Sequence, residues 1–299
     1  MSFNIDSFRV VDLLEQAAGM RLGVIHIPTI KNAFSINVNN VRHIVRYAVK
    51  IGIRTVILPP FLPYGLTIDD LSDKSQVSSI GINKRNPYIR ILKHIAFSKS
   101  MCIISPYIVE KSHGHYHVSN LIVDGEVKVC KFFSRKTILS SKEEEWNIKP
   151  GSSIDIVKDH YLKYTFQLDS DVFFVEFSKL ASYMGVDVIV TILRQIDLDI
   201  ESIKSFVKAI NIVTQLPVIN IGYTNLGRAG SFNQIPTVIV LSNSEIFEVN
   251  EKGPYLLTIP VKALKEAKRN YSMKDVKLAL SIVSLYIRKL LRNYMDLKV

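Results

Sequence analysis

Only two cysteines, Cys102 and Cys130, occur in the 299 residues, which excludes a disulfide framework and any cysteine-rich zinc module. Glycine (13 residues) and proline (11) are both scarcer than the usual ~7% and ~5%, so the chain is neither linker-rich nor low-complexity. No run of about eighteen apolar residues exists, so no transmembrane segment is expected. What is present is ordinary for a folded domain: 47% hydrophobic and 22% charged residues. A chain this long buries about three quarters of its unfolded surface and needs no staples.

Acid is in short supply relative to base. The 38 Lys+Arg against 27 Asp+Glu leave a net charge of +11, which favours a polyanionic partner because each neutralised phosphate releases counterions. Against that stands the lack of an arginine-rich arm, an RNP-like aromatic motif or helix-turn-helix spacing. The cations run along the chain in groups: Arg42, Arg46, Lys50 and Arg54, then Lys84, Arg85, Arg90 and Lys93, then Lys262, Lys265, Lys268 and Arg269. They are expected to scatter over separate helices, as are Arg288 and Arg292. A protein partner is therefore the leading expectation and nucleic acid the lesser one. The opening MSFNIDSFRVVDLLEQAAGM carries Asp6, Asp12 and Glu15 without a basic n-region, which does not suit a signal peptide. A cytoplasmic location is the default expectation.

Phe8, Val11, Leu14 and Ala18 recur at helical spacing, so the first twenty residues are expected to form an amphipathic helical extension. LGVIHI (22–27) reads as a buried strand ended by Pro28. Residues 38–51 set Val41, Ile44, Val45, Ala48 and Val49 on one side and Arg42, Arg46 and Lys50 on the other, the pattern of a surface helix. A short strand over 55–58, a helix over 88–97 and strands over 101–109, 116–123 and 127–133 follow. Asp124-Gly125 is a hairpin turn signal between the last two. A polar loop, 134–153, leads to a strand (161–168), a helix (173–184), a strand (186–192) and a helix (200–213). Strands are predicted at 217–223, 238–241, 246–249 and 255–259, and a last helix over 273–294. Helices and hairpins alternate with no linker, which predicts one α/β domain containing a mixed sheet.

Five segments, in this order, resemble the landmarks of the carbon–nitrogen hydrolase (nitrilase) superfamily. RLGVIHIPT and TVILPPFLPYG, with the helix between them, resemble its first strand, helix and Phe-Pro-Glu segment. LIVDGEVKVCKFFSRKTIL resembles its hairpin ending in a lysine, PVINIGYTNLG its later Asn…Gly strand, and Arg269-Asn270-Tyr271 its closing Arg…Tyr. The resemblance covers residues 21–271 and implies a four-layer α-β-β-α sandwich with mixed sheets. The helical extension, 1–20, precedes that domain, and a C-terminal helix, 272–299, follows it as an expected oligomer contact.

The family's chemistry uses a cysteine thiolate that attacks a nitrile or amide carbon, a glutamate base, and a lysine that stabilises the oxyanion, with a second glutamate in support. Lys136 stands where the resemblance puts the lysine, and Glu143 or Glu144 where it puts the second glutamate. The base position falls on Pro60, which takes no proton. The nucleophile position falls on Asp169 in one register and on Val172 in another. Neither is a cysteine. An aspartate attacking an amide would expel an amine and leave a mixed anhydride, chemistry unsuited to a carboxylate. Ser170 is an outside candidate for a Ser-Lys pair with Lys136, opposed by its neighbours Asp169 and Asp171, which would keep the lysine protonated. The resemblance thus implies a pseudoenzyme acting as a binding or scaffold subunit. The alternatives are amide hydrolysis by a rearranged site, or a basic nucleic-acid-binding protein. Lys136 is expected within ion-pair reach of Asp169 or of Glu143/Glu144, Asp169 offsetting the charge missing at Pro60.

His113, His115 and His117 (HGHYH) suggest a metal, and His115 and His117 share a strand face. Gly114 marks a turn, however, and no cysteine or close carboxylate completes a tetrahedral set. A solvated hairpin tip is the expectation, with neither metal nor cofactor. Towards the C-terminus Val276, Leu280, Val283, Ile287 and Leu290/Leu291 form one stripe, with Arg288, Lys289 and Arg292 in the last turns, where they suit the helix dipole. That helix is expected at a subunit interface, since the resemblance implies a family that dimerises; a homodimer or higher oligomer follows, with an unidentified protein partner.

Overall fold

The computed structural model describes residues 8–14, 19–194, 198–226, 232–241, 245–249 and 253–267. Strand β1 (Arg9–Asp12) is followed by β2 (Arg21–His26), β3 (Pro28–Ile30), helix α1 (Phe34–Lys50) and β4 (Thr55–Ile57). Next come α2 (Val77–Ile80), α3 (Pro87–Lys99), β5 (Cys102–Ser112), β6 (His115–Asp124), β7 (Val129–Phe133) and α4 (Ser141–Glu145). The second half holds β8 (Val157–Lys158), β9 (Lys163–Leu168), α5 (Val175–Tyr183), β10 (Val188–Ile192), α6 (Ile200–Thr214) and β11 (Val218–Asn220). It closes on β12 (Tyr223–Leu226), β13 (Phe232–Ile235), β14 (Thr237–Val240), β15 (Ile246–Val249), β16 (Tyr255–Pro260) and α7 (Val261–Ala267).

Seven strands form one sheet in the order β1-β16-β2-β4-β5-β6-β7, and six form another, β15-β14-β11-β10-β9-β8. A small sheet, β13-β12-β3, joins them at one end. Strands β2, β4 and β5 are parallel neighbours, and right-handed crossovers place their connecting helices, α1 and α3, on one face of the seven-stranded sheet. The same rule applied to β9, β10 and β11 places α5 and α6 together on the six-stranded sheet. Alternation along the strands fills both sides of each sheet. Ile25 of β2 and Ile27 just after it pack under α1 and α3 with Val41, Val45, Leu92 and Ile95, while Leu22 and Val24 join the core between the sheets. Tyr164, Phe166 and Leu168 of β9 meet them there. The result is a four-layer α-β-β-α sandwich with mixed sheets.

Some sequence expectations change. The helix expected over the first twenty residues is not formed where the chain is described: Arg9–Asp12 is a strand pairing in parallel with β16. Four residues with a period-three pattern fit an exposed edge strand as well as a helix, and the free edge of β16 decides. The β6–β7 hairpin turns through four residues, Asp124 pairing with Val129. Gly125 is there because a Cβ would lie 1.9 Å from the Ala96 carbonyl oxygen of α3, and the left-handed residue of the turn is Lys128. The polar loop 134–153 contains α4, and the strand expected over 217–223 divides into β11 and β12. Arg269–Tyr271 and the helix expected over 273–294 lie outside the described residues. Among the described residues no helix is long and apolar enough to cross a membrane.

Candidate functional site

Lys136 follows the edge strand β7 and is fixed at its backbone: its N–H donates to the Val118 carbonyl (2.8 Å) and its carbonyl accepts from Gly151 N–H (2.8 Å). The side chain then points inward and is fully buried, as is Glu143. Lys136 Nζ donates to Glu143 Oε2 at 2.7 Å and to Asp169 Oδ2 at 3.5 Å. A capping box explains why Glu143 is available. Ser140 N–H donates to Glu143 Oε2 (2.7 Å) while Ser140 Oγ accepts from Glu143 N–H (3.3 Å), which turns the carboxylate back over the start of α4. Glu144, one residue on, is exposed and outside the cluster.

Asp169 sits where β9 ends, in a left-handed conformation (φ 46°) ahead of α5. Both of its oxygens are occupied. Oδ1 accepts from the Arg194 backbone N–H (3.1 Å), and Oδ2 from Arg194 Nε (2.5 Å), from Lys136 and from the Tyr107 hydroxyl. Arg194, at the end of β10, also pairs with Asp69 and lies over the Tyr107 ring, 5.4 Å from its centroid. Tyr107 gets there through a bulge: the β5–β6 register slips between Ser105 and Ile108, and Tyr107 takes φ 51° with its N–H on Asn120 Oδ1 (3.2 Å). Burial pushes the Tyr107 hydroxyl well above its ordinary range, Arg194 opposing and Asp169 adding, so it stays a donor. Burial disfavours the charge on Arg194, but Tyr107, Asp169, Asp69 and Glu143 outweigh it and raise its pKa, so the guanidinium stays charged.

Pro60 is buried in the turn after β4, and Phe61 beyond it carries φ 67°. The Phe61 ring packs edge-on against Tyr107 and Tyr223, with centroids 4.9 Å away in each case. Aromatic carbon therefore adjoins the ionic cluster. Val172 belongs to the apolar core. Ser170 makes no hydrogen bond with Lys136 among the described residues. Asp171 accepts from the Thr137 N–H (3.0 Å) and the Ile138 N–H (2.7 Å) and so anchors the segment after Lys136.

Burial raises the Asp171 carboxyl from its ordinary 3.8 to about 6, against those backbone bonds and Lys136, which lower it. The folded value exceeds the unfolded one, so this group's contribution to stability is full below about 4 and is lost as pH rises through about 6. Asp171→Asn removes that titration. The gap in unfolding free energy between wild type and variant should move by about 2 kcal/mol between pH 4 and 7, wild type gaining towards acid. Urea titrations of both proteins across that range measure it; a constant gap would show that Asp171 titrates normally.

The histidines separate. His113 and His115 lie exposed at the β5–β6 tip, but His117 turns inward, its Nδ1 hydrogen-bonded with the Lys149 carbonyl (2.9 Å). Burial, then Arg135, lowers its pKa. The described residues hold no group of three side chains suited to a metal. Sequence reasoning missed Tyr107, Asp69 and Arg194. Arg194 alone left a signal: it directly follows the apolar run of β10, at the carboxyl end of a parallel strand, where ligands of open α/β sheets bind.

No family model and no curated protein matches the chain. Solved structures do. A cysteine-to-alanine mutant of the Nesterenkonia AN1 amidase, from the nitrilase superfamily, superposes with a TM-score of 0.63 at 16% identity over 84% of this chain and 94% of that one. A second structure of that amidase, with acrylamide added at its active-site cysteine, gives 0.64 at 15% over 83% and 96%. A carbon–nitrogen hydrolase from Helicobacter pylori G27 gives 0.65 at 14% over 83% and 92%.

Proposed function

We propose that this chain uses the carbon–nitrogen hydrolase fold, shared with those amidases, as a non-catalytic binding subunit that works as a homodimer. The observation that carries the reading is Asp169, whose two oxygens are taken by Arg194, Tyr107 and Lys136 inside a buried cluster. On this reading Pro60 and Asp169 stand where a working enzyme has its base and nucleophile. Losing one member of such a set costs several powers of ten in rate, and two are replaced. Neither cysteine compensates. Cys102 is buried in β5, where burial pushes its thiol well above the ordinary range, and Cys130 is half-buried on β7. The dimer reading rests on α5 and α6. Phe173, Phe174, Leu180, Met184, Ile212 and Val213 are 38–51% exposed there, an apolar patch that a two-fold axis would let each copy bury against the other.

Hydrolysis by a rearranged site has one observation on its side: Glu143 Oε1 is buried with no partner among the described residues. A panel of amides and nitriles separates the readings. The expected result is no turnover above buffer. Turnover abolished by Lys136→Ala or Ser170→Ala would overturn the non-catalytic reading, whereas turnover that survives both marks a contaminant and leaves the expected result in place.

A further inference from the structure

Between Glu15 and Asp69 the sequence holds no acid, and none again between Asp73 and Glu110, yet these stretches carry twelve lysines and arginines. Twelve exceeds the +11 of the whole chain, so the basic character belongs to these two segments. The fold stacks them. Both include the helix of a right-handed crossover between parallel neighbours, and α1 and α3 lie side by side on one sheet face. The expectation of scattered cations is thereby corrected: Arg42 and Arg46 of α1 and Lys84 and Arg85 ahead of α3 share a layer. Arg288 and Arg292 lie outside the described residues.

Two grooves open on this layer. One, of about 440 Å³, runs between α1 and α3 and is lined by Arg46, Lys50, His94 and Lys99. The other, of about 730 Å³, lies at the N-terminal end of α3 and is lined by Lys84, Arg85, Lys111, Lys131, His113 and Phe132. Helix α3, thirteen residues and about 20 Å long, connects them. Lys93, on its second turn, lies close enough to Cys130 of β7 to act on its thiol together with Lys84. None of Arg46, Lys50, Lys84, Arg85, Lys93 or Lys131 has an ion-pair partner among the described residues. Glu110, in the larger groove, is already held by Arg135 through two bonds of 2.9 and 2.7 Å. The first turn of α3 carries no acid, so Lys84 and Arg85 crowd the end where the helix dipole is already positive. An anion reverses that unfavourable arrangement.

We propose that this face binds single-stranded nucleic acid without sequence preference. Phosphates track the cations along α3, and bases stack on Phe132 and His113 in the larger groove, the combination that serves single-strand binders. A membrane would need apolar side chains between the cations. On α3 those residues, Tyr88, Ile89, Leu92, Ile95 and Ala96, are buried against the sheet, which leaves Arg90, His94, Ser98 and Lys99 outward.

The test is fluorescence anisotropy of the full-length protein with a labelled oligothymidylate of about 20 nucleotides over a salt series. With four phosphates neutralised, log affinity should fall with log salt at a slope of about −3, since each contributes about −0.7. The double variant Lys84→Gln/Arg85→Gln should weaken binding about tenfold or more and bring the slope to about −1.5. Lys208→Gln, on α6, should change neither. Equal weakening by Lys208→Gln would overturn the proposal, as would no binding in low salt. Tighter binding to a duplex of the same length, or binding confined to phosphatidylserine vesicles, would overturn it in favour of a duplex or a membrane partner.

Discussion

Asp169→Ala is expected to cost about 3–5 kcal/mol of folding stability, the typical price of breaking a buried ion pair from one side. Its loss takes a partner from two buried cations at once. Lys136 would keep Glu143 at 2.7 Å, but Arg194 would keep only its Asp69 pair, and Asp69 is partly exposed. Tyr107 would lose its acceptor as well. Ordinary domains are stable by only about 5–15 kcal/mol, so the variant should sit near the edge of folding. Urea unfolding with an unchanged slope checks it. The double variant Asp169→Asn/Arg194→Gln should recover part of the loss, because removing a whole buried pair is far cheaper than halving it. A cost below about 1 kcal/mol for Asp169→Ala would mean that water reaches the cluster.

The oligomeric state should change just as strongly. Leu180→Glu with Ile212→Glu places two carboxylates on the α5–α6 face, and a two-fold dimer would receive each of them twice. Association should weaken by about a thousandfold or more in affinity, near 4 kcal/mol, enough to turn a dimer at micromolar concentration into monomer. Sedimentation equilibrium reads this directly. The wild type running as a monomer at tens of micromolar would remove the dimer from the proposed function, and a double variant that stays dimeric would move the interface elsewhere.

Local pattern carried much of the architecture. The apolar stripe of α1, with Val41, Ile44, Val45 and Ala48 buried, was legible because the 3.6-residue period is enforced by a one-sided burial that the sequence itself encodes. The same holds for α3, α5 and α6 and for the strands β2, β5 and β6. Arg9–Asp12 was misread because four residues are too few to separate a period of two from one of 3.6, and a free sheet edge supplied the deciding bonds.

In the site, the family resemblance led to Lys136 and left Glu143 and Glu144 open; the Ser140 capping box, which turns the Glu143 carboxylate back over the start of α4, decides for Glu143. Asp169 was reached only by family resemblance, and Arg194 and Tyr107 not at all. Arg194 reaches Asp169 because β9 and β10 are adjacent parallel strands ending side by side, and Tyr107 because a bulge turns its ring inward.

What the sequence by itself determined is therefore the list of elements, the faces they bury, and the lack of acid along two segments. Each of these is set by neighbours a few residues away. Which charges meet was decided by the tertiary structure alone. Parallel strand order and the right-handed crossover bring Arg46 beside Lys99 and Asp169 beside Arg194, and no local period encodes that adjacency.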